Sequence, residues 1–269
     1  MKTILITIAL ALVLAFLLGF LLGLFKKIFS VKVDPKVQAV RDVLPGANCG
    51  GCGFAGCDGF AAAVVAGTAP ANGCAAGGPS VAKKVGEVLG VAVSAQKKAA
   101  ILACRGDKTC AAPRGTYNGI HDCRAAMICV NGTKMCSFGC IGFGDCVAAC
   151  PFGALSMGED GLPHVDYEKC TGCGVCAKTC PKKLFTIIPV ETKGAIALCS
   201  NRDVTKVYIR KNCTAGCIKC GKCVRDCRQS AITLVNELPV IDYTKCNSCH
   251  ECVTGCPDHV LALVEDIVK

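Results

Sequence analysis

The feature that most constrains this chain is a cysteine run that recurs along its second half. Three complete copies of the run are Cys170-x2-Cys173-x2-Cys176-x3-Cys180, Cys217-x2-Cys220-x2-Cys223-x3-Cys227 and Cys246-x2-Cys249-x2-Cys252-x3-Cys256. A fourth copy, formed by Cys140, Cys146 and Cys150, is degenerate, because Phe143 stands where its second cysteine would be. The residues before two runs also match, since 162–169 reads LPHVDYEK and 238–245 reads LPVIDYTK. These repeats predict two tandem modules, at residues 136–189 and 213–269.

The spacing is typical of two-cluster bacterial ferredoxins, in which the fourth cysteine of each run binds the other cluster of the module. In the second module this rule predicts two ligand sets: Cys217, Cys220, Cys223 with Cys256, and Cys246, Cys249, Cys252 with Cys227. In the first module it predicts one complete set: Cys150, Cys170, Cys173 and Cys176. The remaining set lacks one ligand and contains Cys140, Cys146 and Cys180. We expect Cys136 to complete it, because Cys136 lies four residues before Cys140.

A separate glycine-rich segment carries four more cysteines: Cys49, Cys52, Cys57 and Cys74. Glycines allow a tight loop around a cluster and turn backbone N–H groups toward its sulfur atoms. We therefore predict a small [4Fe–4S] domain over residues 41–80, with structural zinc as the alternative. Gly51-x-Gly53-x-x-Gly56 also matches a dinucleotide-binding fingerprint, but no predicted strand precedes it, so we interpret this match as accidental.

Five such clusters would use twenty of the 26 cysteines. Four of the remaining six lie before, between or beside the modules and are candidates for a sixth, bridging cluster: Cys104, Cys123, Cys199 and Cys213. Cys110 and Cys129 receive no ligand role. Since buried structural thiols are the alternative for all six residues, the predicted cofactors are five to six [4Fe–4S] clusters.

An apolar stretch near the N-terminus predicts a membrane anchor over residues 1–27, followed by a linker over 28–40. Residues 4–25 carry no charge, and a helix of this length spans about 33 Å, enough to cross the hydrocarbon layer. A cleaved signal sequence fits less well, because no small-residue cleavage site follows. Lysines are more frequent after the stretch than before it. This bias favours a single-pass protein of the inner (cytoplasmic) membrane whose C-terminal bulk is cytoplasmic.

Compartment and charge argue against two other classes of protein. Disulfides do not persist in a reducing cytoplasm, so a disulfide scaffold is not expected. The formal charge of +10 could suggest a nucleic-acid-binding protein. However, six cluster sites would contribute about −12 and bring the holo-protein to about −2. Nucleic acid is therefore not a predicted partner, and no catalytic residues are predicted.

Two stretches outside the cysteine runs receive predictions of their own. Residues 81–135 are interpreted as a spacer domain, with a helix over 81–89 and a strand over 98–103. Residues 190–212 are interpreted as an inter-module segment, which is basic and has the alternation of a strand toward its end. Three basic residues of this segment form the predicted docking surface for an acidic electron carrier: Lys206, Arg210 and Lys211.

The order of these parts resembles the B subunit of the Rnf complex over the whole chain. The resemblance rests on the anchor, the cysteine group that begins at Cys49 and the tandem modules, and on two segments, Cys104-Arg105-Gly106 and Gly142-Phe143-Gly144-Asp145-Cys146. It implies a membrane complex that oxidises ferredoxin, reduces NAD and pumps Na⁺ or H⁺. In such a complex this subunit takes electrons from reduced ferredoxin and passes them to the other membrane subunits. The flavin and NAD sites belong to those sister subunits, and this chain has no substrate-conversion site of its own.

The expected fold class is α+β, with a single transmembrane helix, a small four-cysteine domain and two tandem two-cluster modules. Two alternatives to the Rnf function stay open at this point. One is a stand-alone anchored polyferredoxin that serves a hydrogenase or another reductase. The other is a structural zinc-binding protein, which iron and acid-labile sulfide analysis would distinguish.

Overall fold

The computed structural model describes residues 2–28, 34–203 and 205–269 of the chain. Its first element, α1 (Lys2–Ile28), lies in the region predicted to be the anchor. Over the described ranges, one helical stretch, residues 8–25, is apolar and long enough to cross a membrane. None of this stretch is buried against the rest of the protein. By length and composition, α1 is therefore compatible with a membrane anchor.

Three helices build the N-terminal domain: α2 (Pro35–Val43), α3 (Cys57–Val65) and α4 (Gly78–Leu89). Their shared core consists of buried apolar residues that include Val40, Phe60, Val64 and Val85. α2 begins inside the predicted linker, of which residues 29–33 lie outside the described residues. It begins there because the Asp34 carboxylate accepts the N–H of Lys36 at 2.8 Å and caps the helix. The helix predicted over 81–89 is confirmed as part of α4.

The first ferredoxin-like module is built from two antiparallel strand pairs. The pairs are β1 (Lys98–Leu102) with β4 (Phe185–Pro189), and β2 (Leu155–Met157) with β3 (Pro163–Val165). In this register Leu102 lies opposite Phe185, and Leu155 lies opposite Val165. Three short helices complete the module: α5 (Cys123–Val130), α6 (Asp145–Ala148) and α7 (Val175–Thr179). The strand predicted over 98–103 is confirmed, and it pairs with the last strand of the module.

The second module repeats this topology, with the first strand paired to the last around a central hairpin. The pairs are β5 (Ala195–Ala197) with β8 (Leu261–Leu263), and β6 (Ile232–Val235) with β7 (Leu238–Ile241). Its short helices are α9 (Lys222–Arg225), α10 (Glu251–Thr254) and α11 (Val264–Ile267). The two modules share a small apolar core formed by Ile101, Ile188, Ile196 and Val264.

The basic segment between the modules differs from its prediction. The strand expected there is wrong, because Lys206–Asn212 forms a helix, α8. Ile209 and Asn212 are its buried residues, and their spacing of three is that of one helix face. Val207 and Tyr208 are both exposed. A strand would bury alternate residues, so the apolar alternation in the sequence does not match the side chains that the structure buries.

Candidate metal centres

Each cysteine run enters a short helix just before its third cysteine. The residue that precedes the helix has a left-handed backbone in all four copies, and these residues are Gly144, Gly174, Gly221 and His250. Glycine adopts this conformation without the penalty that a Cβ imposes, so His250 is the exception among the four. The third cysteine then occupies the second position of the helix.

Four cavities in the described part of the chain are each lined by four cysteines. We number them by their position in the fold: site 2 (Cys150, Cys170, Cys173, Cys176), site 3 (Cys123, Cys140, Cys146, Cys180), site 4 (Cys104, Cys136, Cys199, Cys213) and site 5 (Cys217, Cys220, Cys223, Cys256). Their empty volumes lie between 340 and 420 Å³, counting the solvent at the mouth.

Two further groups of four cysteines are defined by packing, since all four of the first group lie in the core of the N-terminal domain and three of the second lie in a core of the second module. Site 1 contains Cys49, Cys52, Cys57 and Cys74, and site 6 contains Cys227, Cys246, Cys249 and Cys252. Burial raises the pKa of Cys74, and the other three thiols of site 1 raise it further. Burial raises the pKa of Cys252 to about 11, with smaller increases from the other thiols of site 6.

The grouping agrees with the cysteine spacing at sites 1, 2, 5 and 6 and differs at sites 3 and 4. Cys123 lines site 3, where Cys136 was expected. Cys136 lines site 4, where Cys123 was expected. The structure therefore exchanges these two residues relative to the prediction. That each group binds a cluster stays a prediction.

Hydrogen bonds and ring packing explain the position of Cys123. Its backbone N–H donates to both carboxylate oxygens of Asp145 at 3.0 Å, and Asp145 adjoins Cys146 of site 3. The loop that leads to Cys123 packs on Phe143, whose ring lies 5.6 Å from that of Tyr117 and stacks on that of His121 at 5.0 Å. Phe143, which stands in place of a cysteine in the degenerate run, thus positions the loop that brings Cys123 into site 3.

Backbone N–H groups donate to several of the cysteine sulfur atoms. The N–H of Cys140 donates to Sγ of Cys104 at 3.4 Å, and the N–H of Cys217 donates to Sγ of Cys199 at 3.3 Å. Similar bonds reach Sγ of Cys227 and Cys256. Burial raises the pKa of Cys140 to about 12. Such thiols become thiolates when a positive metal core replaces the lost solvation, so the donor set fits an iron–sulfur core.

A buried cation also fits an anionic group in this region. The Nζ atom of Lys219 is buried and has no hydrogen-bond partner. Lys219 lines site 5, and its positive charge opposes the burial-driven rise in the pKa of Cys199 at site 4. Burying an unpartnered ammonium group is costly, and the thiolates around a cluster would offset that cost.

The six sites follow one another in a single row. Contacts join each site to the next. Cys173 of site 2 packs against the core that contains site 1, and Cys146 of site 3 shares a core with Cys176 of site 2. The hydrogen bonds to Sγ of Cys104 and of Cys199 join site 4 to sites 3 and 5. Cys223 of site 5 shares a core with Cys252 of site 6. Lys178 also joins site 1 to site 2, since its Nζ donates to the carbonyl of Gly50 at 3.1 Å. The row runs from the N-terminal domain to the last cysteine run, with site 4 between the modules.

The two cysteines without a predicted role lie outside the six groups. The Sγ atom of Cys110 donates to the carbonyl of Arg105 at 3.2 Å. Cys129 is exposed on α5.

The predicted docking residues all lie on α8 and are exposed: Lys206, Arg210 and Lys211. Val207, between them, is 78% exposed. Arg210 forms an ion pair at 3.4 Å with Asp258, which lines site 5. The helix ends directly before Cys213 of site 4. α8 therefore presents a basic surface close to the middle of the row.

Family models match both parts of this architecture. One, described as "Putative Fe-S cluster", matches residues 44–76. Another, described as "4Fe-4S dicluster domain", matches residues 122–184 and 216–260. The first of these two dicluster matches begins just before Cys123. The fold, the cysteine groups and these matches define an iron–sulfur electron-transfer protein.

Curated relatives cover most of the chain. The B subunit of the Na⁺-translocating ferredoxin:NAD⁺ oxidoreductase complex of Acetobacterium woodii is 48% identical over 86% of this chain and 69% of its own length. The B subunit of an ion-translocating oxidoreductase complex of Methanosarcina acetivorans is 40% identical over 88% and 89%. The B subunit of the proton-translocating ferredoxin:NAD⁺ oxidoreductase complex of Clostridium ljungdahlii is 41% identical over 86% and 82%. The chain belongs to the family of B subunits of Rnf-type ion-translocating oxidoreductase complexes, as the sequence patterns predicted.

Proposed function

We propose that this chain binds six [4Fe–4S] clusters, accepts electrons from reduced ferredoxin and passes them to membrane subunits of an ion-translocating complex. The observation that carries the proposal is the row of six four-cysteine sites. A [4Fe–4S] cluster supplies one-electron redox chemistry within a set of four thiolates. The names of the relatives from Acetobacterium woodii and Clostridium ljungdahlii support ferredoxin as the donor.

The contribution of the protein is to hold the sites in order and to stabilise their charge. N–H groups that donate to cysteine sulfur atoms stabilise thiolates, and burial limits access of water. Site 1 belongs to the domain that follows α1 in the sequence, and this order supports an exit toward the membrane at this end of the row. Electrons are therefore proposed to leave the row at site 1, toward the membrane partners.

The donor is proposed to dock on α8. Soluble ferredoxins are generally acidic, and the exposed basic residues of α8 offer them a complementary charge. Val207 adds an exposed apolar contact within the basic surface. Because α8 adjoins Cys213 of site 4 and contacts Asp258 at site 5, a donor on this helix would deliver electrons near the middle of the row.

Charge reversal tests the docking surface. Replacing Lys206, Arg210 and Lys211 with Glu is expected to slow reduction by ferredoxin several-fold at low ionic strength, with the difference fading as salt is added. Stopped-flow measurement of cluster bleaching gives the rates. The matched control replaces three exposed lysines of the N-terminal domain, Lys36, Lys83 and Lys84, with Glu, which gives the same change in net charge.

Three outcomes of that measurement are informative. A small neutral donor should reduce the parent and both variants at equal rates, because the substitutions leave every cysteine in place. A ferredoxin rate that falls in the α8 variant alone supports docking on α8. Equal ferredoxin rates in all three proteins contradict docking on α8 and favour the exposed Cys249 end of site 6.

Deleting residues 1–27 tests the anchor. The truncated chain is expected to be soluble, brown and loaded with clusters, because no other described helix is long and apolar enough to cross a membrane. It should still accept electrons from ferredoxin but fail to support the membrane activity. A truncated chain that stays in membranes without partner subunits would contradict the single-anchor proposal.

Two alternatives are distinguished by composition and partners. Over the described ranges no three His, Cys, Asp or Glu side chains are placed to hold one metal ion. Iron and acid-labile sulfide content decides between clusters and zinc directly. Co-purification of the tagged chain with several polytopic membrane proteins supports the complex, whereas isolation with a hydrogenase supports a stand-alone polyferredoxin.

A further inference from the structure

Two buried lysines flank site 4. Among the described residues, Lys134 and Lys219 are the only charged side chains that are buried, each with 9% of its surface exposed. Lysine is almost never buried without a compensating partner. Their positions therefore need an explanation in terms of the groups around them.

Lys134 lies between site 4 and site 3. It lines site 4, where its Nζ donates to the carbonyl of Gly106 at 2.5 Å. Site 3 adjoins this cavity, since the N–H of Cys140 donates to Sγ of Cys104, which lines the cavity together with Lys134, at 3.4 Å. One ammonium group therefore acts on the cysteines of both sites.

Lys219 has the corresponding position between site 4 and site 5. It lines site 5, its Nζ has no hydrogen-bond partner, and it lies two residues after Cys217, whose N–H donates to Sγ of Cys199 of site 4 at 3.3 Å. A carboxylate, Asp258, also lines site 5, where it is paired with Arg210. Site 4 is thus the one site of the row on which both buried lysines act.

A fixed positive charge in a poorly solvated region stabilises the more negative, reduced state of a nearby redox centre. We propose that Lys134 and Lys219 together raise the reduction potential of the cluster at site 4 above those at sites 3 and 5. One electron passes to site 4 from reduced site 3 or site 5, which is oxidised in the step. Site 4 then holds this electron between the two modules. This inference rests on the proposed binding of clusters.

The test uses the anaerobically purified full-length protein and the variants Lys134→Gln and Lys219→Gln. Redox titration followed by EPR spectroscopy gives the potential of each transition. Lys134→Gln should lower the potentials of sites 3 and 4, and Lys219→Gln those of sites 4 and 5. Each substitution should lower the reduction potential of the affected sites by about 59 mV. This corresponds to an about tenfold lower equilibrium constant for one-electron reduction by a fixed donor. One transition, that of site 4, should therefore move in both variants.

The matched control is Lys222→Gln, which changes a lysine of the same cysteine run whose side chain is 48% exposed. Solvent screens this charge, so a much smaller shift is expected. Lys134→Arg and Lys219→Arg retain the charge and should keep the parent potentials. Should a Gln variant lose iron, Lys134→Met or Lys219→Met replaces it in the comparison.

Iron and sulfide contents separate failure of the inference from failure of the proposed function. A parent protein with fewer than about 24 iron per chain contradicts six-cluster binding itself. Two results from variants that keep all their iron would overturn the role of the buried lysines without affecting the proposed function. In the first, no transition shifts in both Lys134→Gln and Lys219→Gln. In the second, Lys222→Gln shifts the potentials as much as these two variants do.

Discussion

The two ferredoxin-like modules share a topology but complete their cysteine groups differently. In the second module, sites 5 and 6 draw all their cysteines from two complete runs. In the first module, Phe143 replaces a cysteine, and site 3 takes Cys123 from a preceding helix. The comparison teaches that a group lacking a cysteine from its run is completed by a thiol that tertiary packing brings near, which need not be the nearest thiol in sequence.

The largest expected effect tests which site each exchanged cysteine serves. Cys123→Ala and Cys136→Ala should each remove about four iron, because one cluster is lost in each. The double variant should lose about eight, since the two residues serve different sites. Cys123→Ala combined with Cys180→Ala should lose only about four, because both belong to site 3.

Iron analysis of the purified proteins measures these losses, and Cys110→Ala and Cys129→Ala are the matched controls. Both controls should keep the iron content of the parent. If Cys123→Ala with Cys180→Ala loses about eight iron instead of four, the two cysteines serve different sites and the proposed exchange is wrong.

A gain of ligand would make the first module resemble the second. Phe143→Cys restores the complete spacing of the degenerate run, so it is expected to recover much of the iron lost in Cys123→Ala. Iron content and visible absorption of the double variant measure the recovery. No recovery would indicate that the loop at position 143 cannot direct a thiol into site 3.

Residue spacing was sufficient to group the cysteines of the second module because they come from contiguous runs. It was insufficient for Cys123 and Cys136, because the Asp145 hydrogen bonds and the rings around Phe143 are tertiary contacts. The strand over 98–103 was predicted, but its pairing with β4 joins residues far apart in sequence. The α8 prediction failed because a short apolar alternation does not distinguish a strand from a helix.

Backbone strain should differ slightly among the residues that precede the short helix of each cysteine run. His250 has a φ of +63° where the other three copies have glycine. Gly221→Ala should destabilise the second module by about 1 kcal/mol, because a Cβ is unfavourable in this conformation. His250→Gly should relieve a similar strain. The rate of cluster bleaching in denaturant compares these variants with the parent, and equal rates would contradict the strain argument.

The smallest expected effect concerns Arg228, which stands where two other complete runs have Pro181 and Pro257. Its guanidinium pairs with Glu251 at 3.0 Å, but the Arg228 side chain is largely exposed. Arg228→Ala should therefore change stability by less than about 1 kcal/mol and leave the iron content unchanged. Loss of iron in this variant would show that the pair supports sites 5 and 6.

The central claim is that six clusters lie in one row, with one of them between the modules. Anomalous diffraction at the iron absorption edge, from crystals of the protein lacking residues 1–27, tests it most directly. We expect six compact iron peaks in the order of sites 1 to 6, with the fourth surrounded by Cys104, Cys136, Cys199 and Cys213. Five peaks with none between the modules, or a central peak bound by Cys123, would contradict this account.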